Sequence, residues 1–255
     1  MKEEFDGLGQ HQVFGDFVEL PEGRKALPSQ WVYKIKRDGA GNVQWYKARL
    51  VCGGNHQIEG IDYQATYAPT ARLGHVMLVL AIAAKYDLEI HQMDVCTAFL
   101  GVDLEEEIYM HPLQGYFRLL QTRSRYNNPR SSKASRKMVL RLRMSLYGLK
   151  QSSHGWYGTF KEFVISIGFM VSRVDGGLFV LHNKDQDIAA VVVLYVDDLL
   201  IIANEGLIGQ IKDQMKMRFR MHDLWSVSFY LGMNIEPNRE HHTFDIHQHS
   251  YIRAF

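Results

Sequence analysis

The chain has 255 residues, 46% of them hydrophobic, with a formal net charge of +1 and two cysteines; this is enough for one large or two small cores and excludes a disordered tail. Cys52 and Cys96 are too few for a disulfide framework or a four-thiolate zinc site, and no apolar stretch follows a basic start, so an intracellular location is expected. The longest apolar run, 188–196, resumes at 199–203 only after two aspartates, which is too short and too charged to span a membrane.

The first thirty or so residues are weakly patterned. Trp31–Lys36 and Trp45–Val51 then read as strands joined by the turn Asp38-Gly39-Ala40-Gly41-Asn42, a hairpin signal. Val76–Ala84 is apolar, Ala-rich and free of turn residues, which predicts a buried helix, and Ile90–Val95 follows as a strand that carries Asp94 near its end. Gly115–Ser135, rich in Arg, Ser and Asn, reads as a loop or insertion. Ser152 or Ser153 can cap a helix on which Trp156, Phe160, Phe163, Val164 and Ile167 recur before Gly168 ends it. Leu178–His182, Ile188–Val196 and Leu199–Ala203 read as strands, so Asp197 and Asp198 fall at a hairpin tip. Ile208, Ile211, Met215 and Phe219 mark another helix. This alternation, with a hairpin among helices, predicts an α+β fold whose antiparallel sheet is covered by helices on one face.

Charge is sorted along the chain. Asp87–Glu107 holds seven acids and no Lys or Arg, whereas Arg118–Lys150 holds ten Lys and Arg and no acid. Such a pair of segments suits a site that holds cations and grips a phosphate backbone, although two solvated surface segments give the same pattern. Asp197-Asp198 alone reads as a solvated turn. With Asp94 ending a second apolar strand, three carboxylates can share one sheet edge, where they repel unless a cation neutralises them. Magnesium takes one or two protein carboxylates and leaves other positions to water and phosphates; paired ions about 3.5–4 Å apart serve nucleotidyl transfer.

Tyr195-Val196-Asp197-Asp198 resembles the aspartate signature of reverse transcriptases, and Gln92-Met93-Asp94-Val95-Cys96-Thr97-Ala98-Phe99-Leu100 resembles the first catalytic motif of the copia-type retrotransposon family. Lys47–Val51, Leu104–Met110, Ser145–Gln151 and Phe229–Met233 follow that family in the same order, and six ordered matches are far more specific than any one.

The resemblance implies a right-hand polymerase, an RNA-directed DNA polymerase using magnesium, with manganese as an alternative ion. It implies mainly fingers over 1–90, a palm over 91–235 with a basic insertion at about 116–138, and at 236–255 the start of the connection toward a thumb. A complete thumb and ribonuclease H are expected to lie outside the chain, since Tyr251-Ile252 resembles the region leading to the thumb. By resemblance Asp94 and Asp197 ligate the ions and Asp198 supports them. Lys47 and Arg49 clamp the triphosphate, and Phe99 lies beneath the sugar as a steric gate. Tyr147, Gly148, Lys150 and Gln151 belong to the loop that positions nucleotide and template, and Leu231-Gly232 to the hairpin that grips the primer. The implied partners are a primed RNA or DNA template, deoxynucleoside triphosphates and the rest of a Pol polyprotein, in the cytoplasm or a retrotransposon particle.

The chain departs from the family pattern at several places. Gly53 replaces a lysine, Ser152-Ser153-His154 replaces a small residue, proline and arginine, and Cys96 and Gly101-Val102 replace lysine and asparagine-glycine. His222 replaces a lysine that can serve as general acid toward pyrophosphate, a role histidine can also fill. These departures raise a second expectation, a degenerate remnant that binds nucleic acid without turnover. A third, a nucleotide cyclase or other metal-dependent phosphoryl enzyme, needs only the carboxylates. His241, His242, His247 and His249 lack a nearby cysteine and read as exposed histidines rather than zinc ligands.

Overall fold

The computed structural model describes residues 2–37, 42–112 and 138–252. Asp38–Gly41 of the expected turn, the loop expected at 115–135 and, apart from Met138, the insertion expected at about 116–138 lie outside the described residues. In chain order the first elements are helix α1 (Lys2–Gln10) and strands β1 (Phe14–Glu19), β2 (Ala26–Leu27), β3 (Ser29–Arg37) and β4 (Val43–Cys52). Helix α2 (Leu73–Lys85) and strands β5 (Glu89–Val95), β6 (Asp103–Met110) and β7 (Met138–Met144) follow. Next come helix α3 (Ser152–Ser166), strands β8 (Met170–Val171), β9 (Leu178–His182), β10 (Ile188–Tyr195) and β11 (Asp198–Ala203), and helix α4 (Glu205–Arg218). The last are β12 (Met221–Ser226), β13 (Phe229–Tyr230), β14 (Met233–Asn238), β15 (Thr243–His247) and the short helix α5 (His249–Ile252). Among the described residues no helix is long and apolar enough to cross a membrane.

Contacts divide the chain into two compact units, Met1–Tyr67 with Phe99–Trp156, and Ala68–Ala98 with Tyr157–Phe255. Each unit is assembled from two separate stretches of the chain, because strands far apart in sequence pair with one another. In the first unit a sheet of order β1-β7-β6-β2 packs Ile108, Met110, Leu140 and Leu142 against Leu8 of α1 and against Leu50 and Cys52 of β4. The β3–β4 hairpin forms a separate two-stranded ribbon, in the antiparallel register expected from its alternating sequence.

The second unit is built on a six-stranded sheet of order β12-β5-β11-β10-β9-β8, antiparallel at every pairing. On one face Ile90, Val191, Val193, Leu200 and Ile202 are buried with Val76, Val79, Leu80 and Ala83 of α2 and with Tyr230 and Ile235 of the small β13-β14-β15 sheet. On the other face Phe179 meets Phe160 of α3, ring centroids 5.6 Å apart, and Lys212 of α4 comes within 2.8 Å of His91 Nδ1. Helices therefore cover both faces, which corrects the expectation of one. The signal lay in β10 and β11, whose near-continuous apolar runs are what strands buried on both sides require.

The helix ends show which groups satisfy their free amides. Asn204 caps α4 as its side chain accepts from Leu207 N. Ser152 does not cap α3: it is the first helical residue, buried, and its hydroxyl donates to Leu146 O. The α2 terminus lacks a capping side chain at Arg72; the Asp175 carboxylate, distant in sequence, accepts the Arg72 N–H instead.

Candidate active site

One rung of the second unit's sheet gathers the acids. Tyr195 pairs with Asp198 across the β10–β11 hairpin, Asp198 with Asp94 on β5, and Asp94 with His222 on β12. Directly opposed side chains lie about 4.5–5.5 Å apart at Cβ and share a face. Val196 and Asp197 form the two-residue turn, and Asp197 O accepts from Val95 N at 3.0 Å. The sequence expectation that all three aspartates meet at one end of the sheet thus holds at the level of backbone register, and each side chain is partly exposed.

Both acid-bearing segments contain strained backbone. Val196 and Thr97 have φ of 59°, a left-handed conformation that β-branched residues rarely adopt and that costs of order 1–3 kcal/mol each. Strain of this kind persists only where surrounding contacts hold it. Leu194, just before the tip, donates its N–H to Gly177 O and accepts from Ala71 N. Asp175 ties these segments together by accepting from Gly177 N at 2.9 Å, Arg72 N at 2.9 Å and His75 Nδ1 at 2.6 Å. Burial alone would raise the Asp175 carboxyl, but the three hydrogen bonds more than offset it and hold it below the ordinary range.

Tyr230 stands near this rung with a buried hydroxyl that has no hydrogen-bond partner among the described residues. Burial first, then the negative charge of Asp198, pushes its ionisation above the ordinary phenol range. Neither Tyr230 nor Asp175 stands out in the sequence. Tyr230 lies within an apolar motif, and Asp175 beside two glycines looks like a turn.

Carboxylate oxygens are the donor chemistry that magnesium or manganese takes, so the residues on this rung fit such an ion by type and backbone position. Among the described residues no three His, Cys, Asp or Glu side chains converge closely enough to hold one. Toward the chain's end, His247 bonds Glu236 at 3.0 Å and stacks on His249.

In the first unit, Lys47 and Arg49 alternate on one face of β4. The Arg49 guanidinium lies 5.1 Å over the Tyr147 ring, and Phe99 meets Tyr147 edge-on at 5.5 Å. Three residues singled out in the sequence for nucleotide binding thus form one contiguous group. Gly148, at φ 92°, has a specific reason to be glycine: a Cβ there would collide with the Cys52 carbonyl oxygen. Lys150 Nζ lies 4.9 Å over the Tyr63 ring. Gln151 is buried and donates to Asp62 O and Glu106 Oε2 while accepting from Gln57. Gln57 Oε1 in turn accepts from Lys150 N, so these amides hold the loop from beneath. At Gly53 a Cβ would lie 2.6 Å from Pro28 Cγ, leaving no room for a larger residue without movement. Leu231 and Gly232, in the second unit, form the β13–β14 turn with φ of 48° and 84°, a geometry suited to a tight hairpin.

The family described as reverse transcriptase (RNA-dependent DNA polymerase) matches residues 12–255. The chain is 35% identical over 253 residues to the Retrovirus-related Pol polyprotein from transposon TNT 1-94 of Nicotiana tabacum, covering 99% of this chain and 18% of that protein. It is 33% identical over 247 residues to the Retrovirus-related Pol polyprotein from transposon RE1 of Arabidopsis thaliana, covering 96% of this chain and 16% of the relative. For transposon RE2 of the same plant the identity is 32% over 205 residues, 80% of this chain and 13% of the relative. The chain therefore spans less than a fifth of the length of these relatives.

Proposed function

The chain belongs to the reverse transcriptase (RNA-dependent DNA polymerase) family, and on that footing we propose that it is the fingers and palm of a retrotransposon Pol polyprotein, extending a primer with deoxynucleotides on an RNA or DNA template. The observation that carries this reading is the rung that pairs Asp198 with Asp94, beside the Asp197 turn. The second unit then serves as palm, the first mainly as fingers, and the Leu231-Gly232 turn as primer grip.

Asp94 and Asp197 would hold the magnesium or manganese ions, with Asp198 supporting them. When bound, such ions neutralise the phosphates and activate the primer 3′-oxygen. That oxygen bonds the α-phosphorus as the bond to the pyrophosphate oxygen breaks. His222, the cross-strand neighbour of Asp94, is placed in the sequence where a proton donor to pyrophosphate is needed. Lys47 and Arg49 balance triphosphate charge, and Phe99, packed on Tyr147, excludes a 2′-hydroxyl. Gly148 and Lys150 contact nucleotide and template, with Gln151 bracing their loop.

Primer extension on an RNA template with magnesium and deoxynucleotides, comparing the chain with Asp197→Asn, tests the proposal. Extension by the chain and none by the variant is expected; extension by both would reject the assignment of Asp197. A remnant without turnover is the second reading, favoured by Gly53, which stands where the family has a lysine. No extension by either protein, even with a thumb supplied, would favour it.

A further inference from the structure

Beneath the 147–151 loop runs the segment that leaves β4. It meets the loop backbone to backbone: Cys52 N donates to Tyr147 O at 2.8 Å, and a Cβ on Gly54 would collide with the Gly148 carbonyl oxygen. Farther on, residues 57–63 close into a turn of their own. Asp62 N donates to Ile58 O at 2.8 Å, the Asp62 carboxylate accepts from Ile58 N at 2.9 Å, and Gly60 N donates to Tyr63 O at 2.9 Å. A turn whose polar groups bond one another in this way is a firm base for whatever binds to it.

Gln57 joins this turn to the loop. Its Oε1 accepts from Lys150 N at 2.8 Å, and its Nε2 donates to Gln151 Oε1 at 2.9 Å and to Asp62 O at 3.2 Å. The amide can be oriented in one way only, because Lys150 N can only donate and Asp62 O can only accept. From Lys150 N the bonds run in one direction, through Gln57 and Gln151, to the Glu106 carboxylate 3.1 Å from Gln151 Nε2. Each bond in such a chain polarises the next, and an ionised acceptor at its end strengthens it. Gln57, Asp62 and Gln151 are all buried, so a lost partner leaves a polar group unsatisfied. The Tyr63 hydroxyl accepts from Lys150 Nζ at 3.3 Å, which ties the side chain of Lys150 to the same turn as its backbone.

We propose that Gln57 is the positioning residue of the 147–151 loop. Buried beneath the loop, it acts through the Lys150 peptide, and so fixes Gly148 and the Lys150 ammonium relative to β4. On the reading of this loop as the site for nucleotide and template, on which the proposal rests, Gln57 thereby sets the affinity for the incoming deoxynucleoside triphosphate. One side chain must face an obligate donor and an obligate acceptor at once, which a neutral amide does and a carboxylate or an apolar chain does not.

Hydrogen exchange at the Lys150 amide, read by NMR on the full chain, tests the positioning, and the KM for a deoxynucleoside triphosphate in primer extension tests its effect. Gln57→Met keeps the length and loses the polar atoms. Lys150 exchange should then quicken roughly 5- to 100-fold while the central strand β7 keeps its protection, and KM should rise more than kcat falls. Gln57→Glu separates the chemistry from the packing. Ionised at about pH 8, the new carboxylate has nothing to donate to Asp62 O; protonated at about pH 5, with burial raising its pKa, it supplies one donor and one acceptor as the amide does. Measured against the unaltered chain at each pH, exchange should be fast at the higher pH and normal at the lower. Lys150 exchange that is unchanged in Gln57→Met, or that quickens equally in β7, would overturn the proposal. So would exchange in Gln57→Glu that ignores pH, or faster exchange with an unaltered KM. Should the unaltered chain extend no primer, exchange still decides the role of Gln57, and only the reading of the loop as a nucleotide site falls.

Discussion

Asp94 and Asp198 stand directly opposite each other on neighbouring antiparallel strands, so the sheet sets two carboxylates where like charges oppose folding. Neutralising one should therefore stabilise the protein while removing function. Asp94→Asn is expected to raise stability in EDTA by up to about 1 kcal/mol, and to abolish primer extension. Magnesium should raise the melting temperature of the unaltered chain but not of the variant. A variant that melts earlier in EDTA, or that magnesium still stabilises equally, would contradict this arrangement.

Acid should unfold the second unit through the buried Asp175 and the part-buried Asp223. Asp223 would be raised by burial, but its bonds with Lys212, Lys216 and Trp225 N bring it down to about 2, and Asp175 is also held below its ordinary value. A carboxyl lowered by folding stabilises the native state above its unfolded value of about 3.9, and that contribution is lost as pH falls through the folded value. Stability should thus decline from about pH 4 toward pH 2, and the decline should flatten in Asp223→Asn. Urea midpoints across that range provide the measurement.

The two lysines that meet Asp223 should behave differently. Lys212 is 5% exposed and 2.8 Å from Asp223, whereas Lys216 is 39% exposed and 2.7 Å away. Removing a buried partner leaves a charge uncompensated, so Lys212→Met is expected to cost about 3 kcal/mol, and Lys216→Ala less than about 1 kcal/mol. Equal losses in urea unfolding would show that burial does not set the difference.

Gly148→Ala would put a methyl into the Cys52 carbonyl oxygen in a left-handed backbone. A loss of about 3 kcal/mol or more is expected, visible as an earlier thermal transition. Gly158→Ala, where a Cβ meets nothing within 4 Å, is the control and should be neutral or stabilising.

Phe99→Val should relax the choice of sugar. With the ring that packs on Tyr147 removed, ribonucleotide incorporation relative to deoxynucleotide should rise by at least about tenfold, the effect of about 1.4 kcal/mol. An unchanged ratio in single-nucleotide extension would remove Phe99 from the role of gate.

Much of this architecture is legible in the sequence because its signals are local. The period-two pattern of 31–36 and 45–51, the Ala-rich run before Ile90, and the apolar strands around Asp197-Asp198 each determine their own element. Coverage of both sheet faces was missed because a run such as 190–194 says that a strand is buried, not by what. Asp175 was missed for a related reason. Its partners Arg72 and His75 lie about a hundred residues away, and only the folded chain makes it the cap of α2. Ser152 shows the converse: a residue type suited to capping turns its hydroxyl to Leu146 because the helix begins at that residue.

The order of strands also has a consequence for biosynthesis. β5 lies between β11 and β12, so Ile90 and Met93 emerge from the ribosome long before either neighbouring strand exists. Such non-local pairing is slow and leaves apolar surface open to chaperones meanwhile. A nascent chain that has reached only β5 holds Asp94 without the strand that faces it. The facing pair of carboxylates therefore comes into existence only late in synthesis, once β11 has been made, and the sheet that holds it is flanked on its other side only after β12.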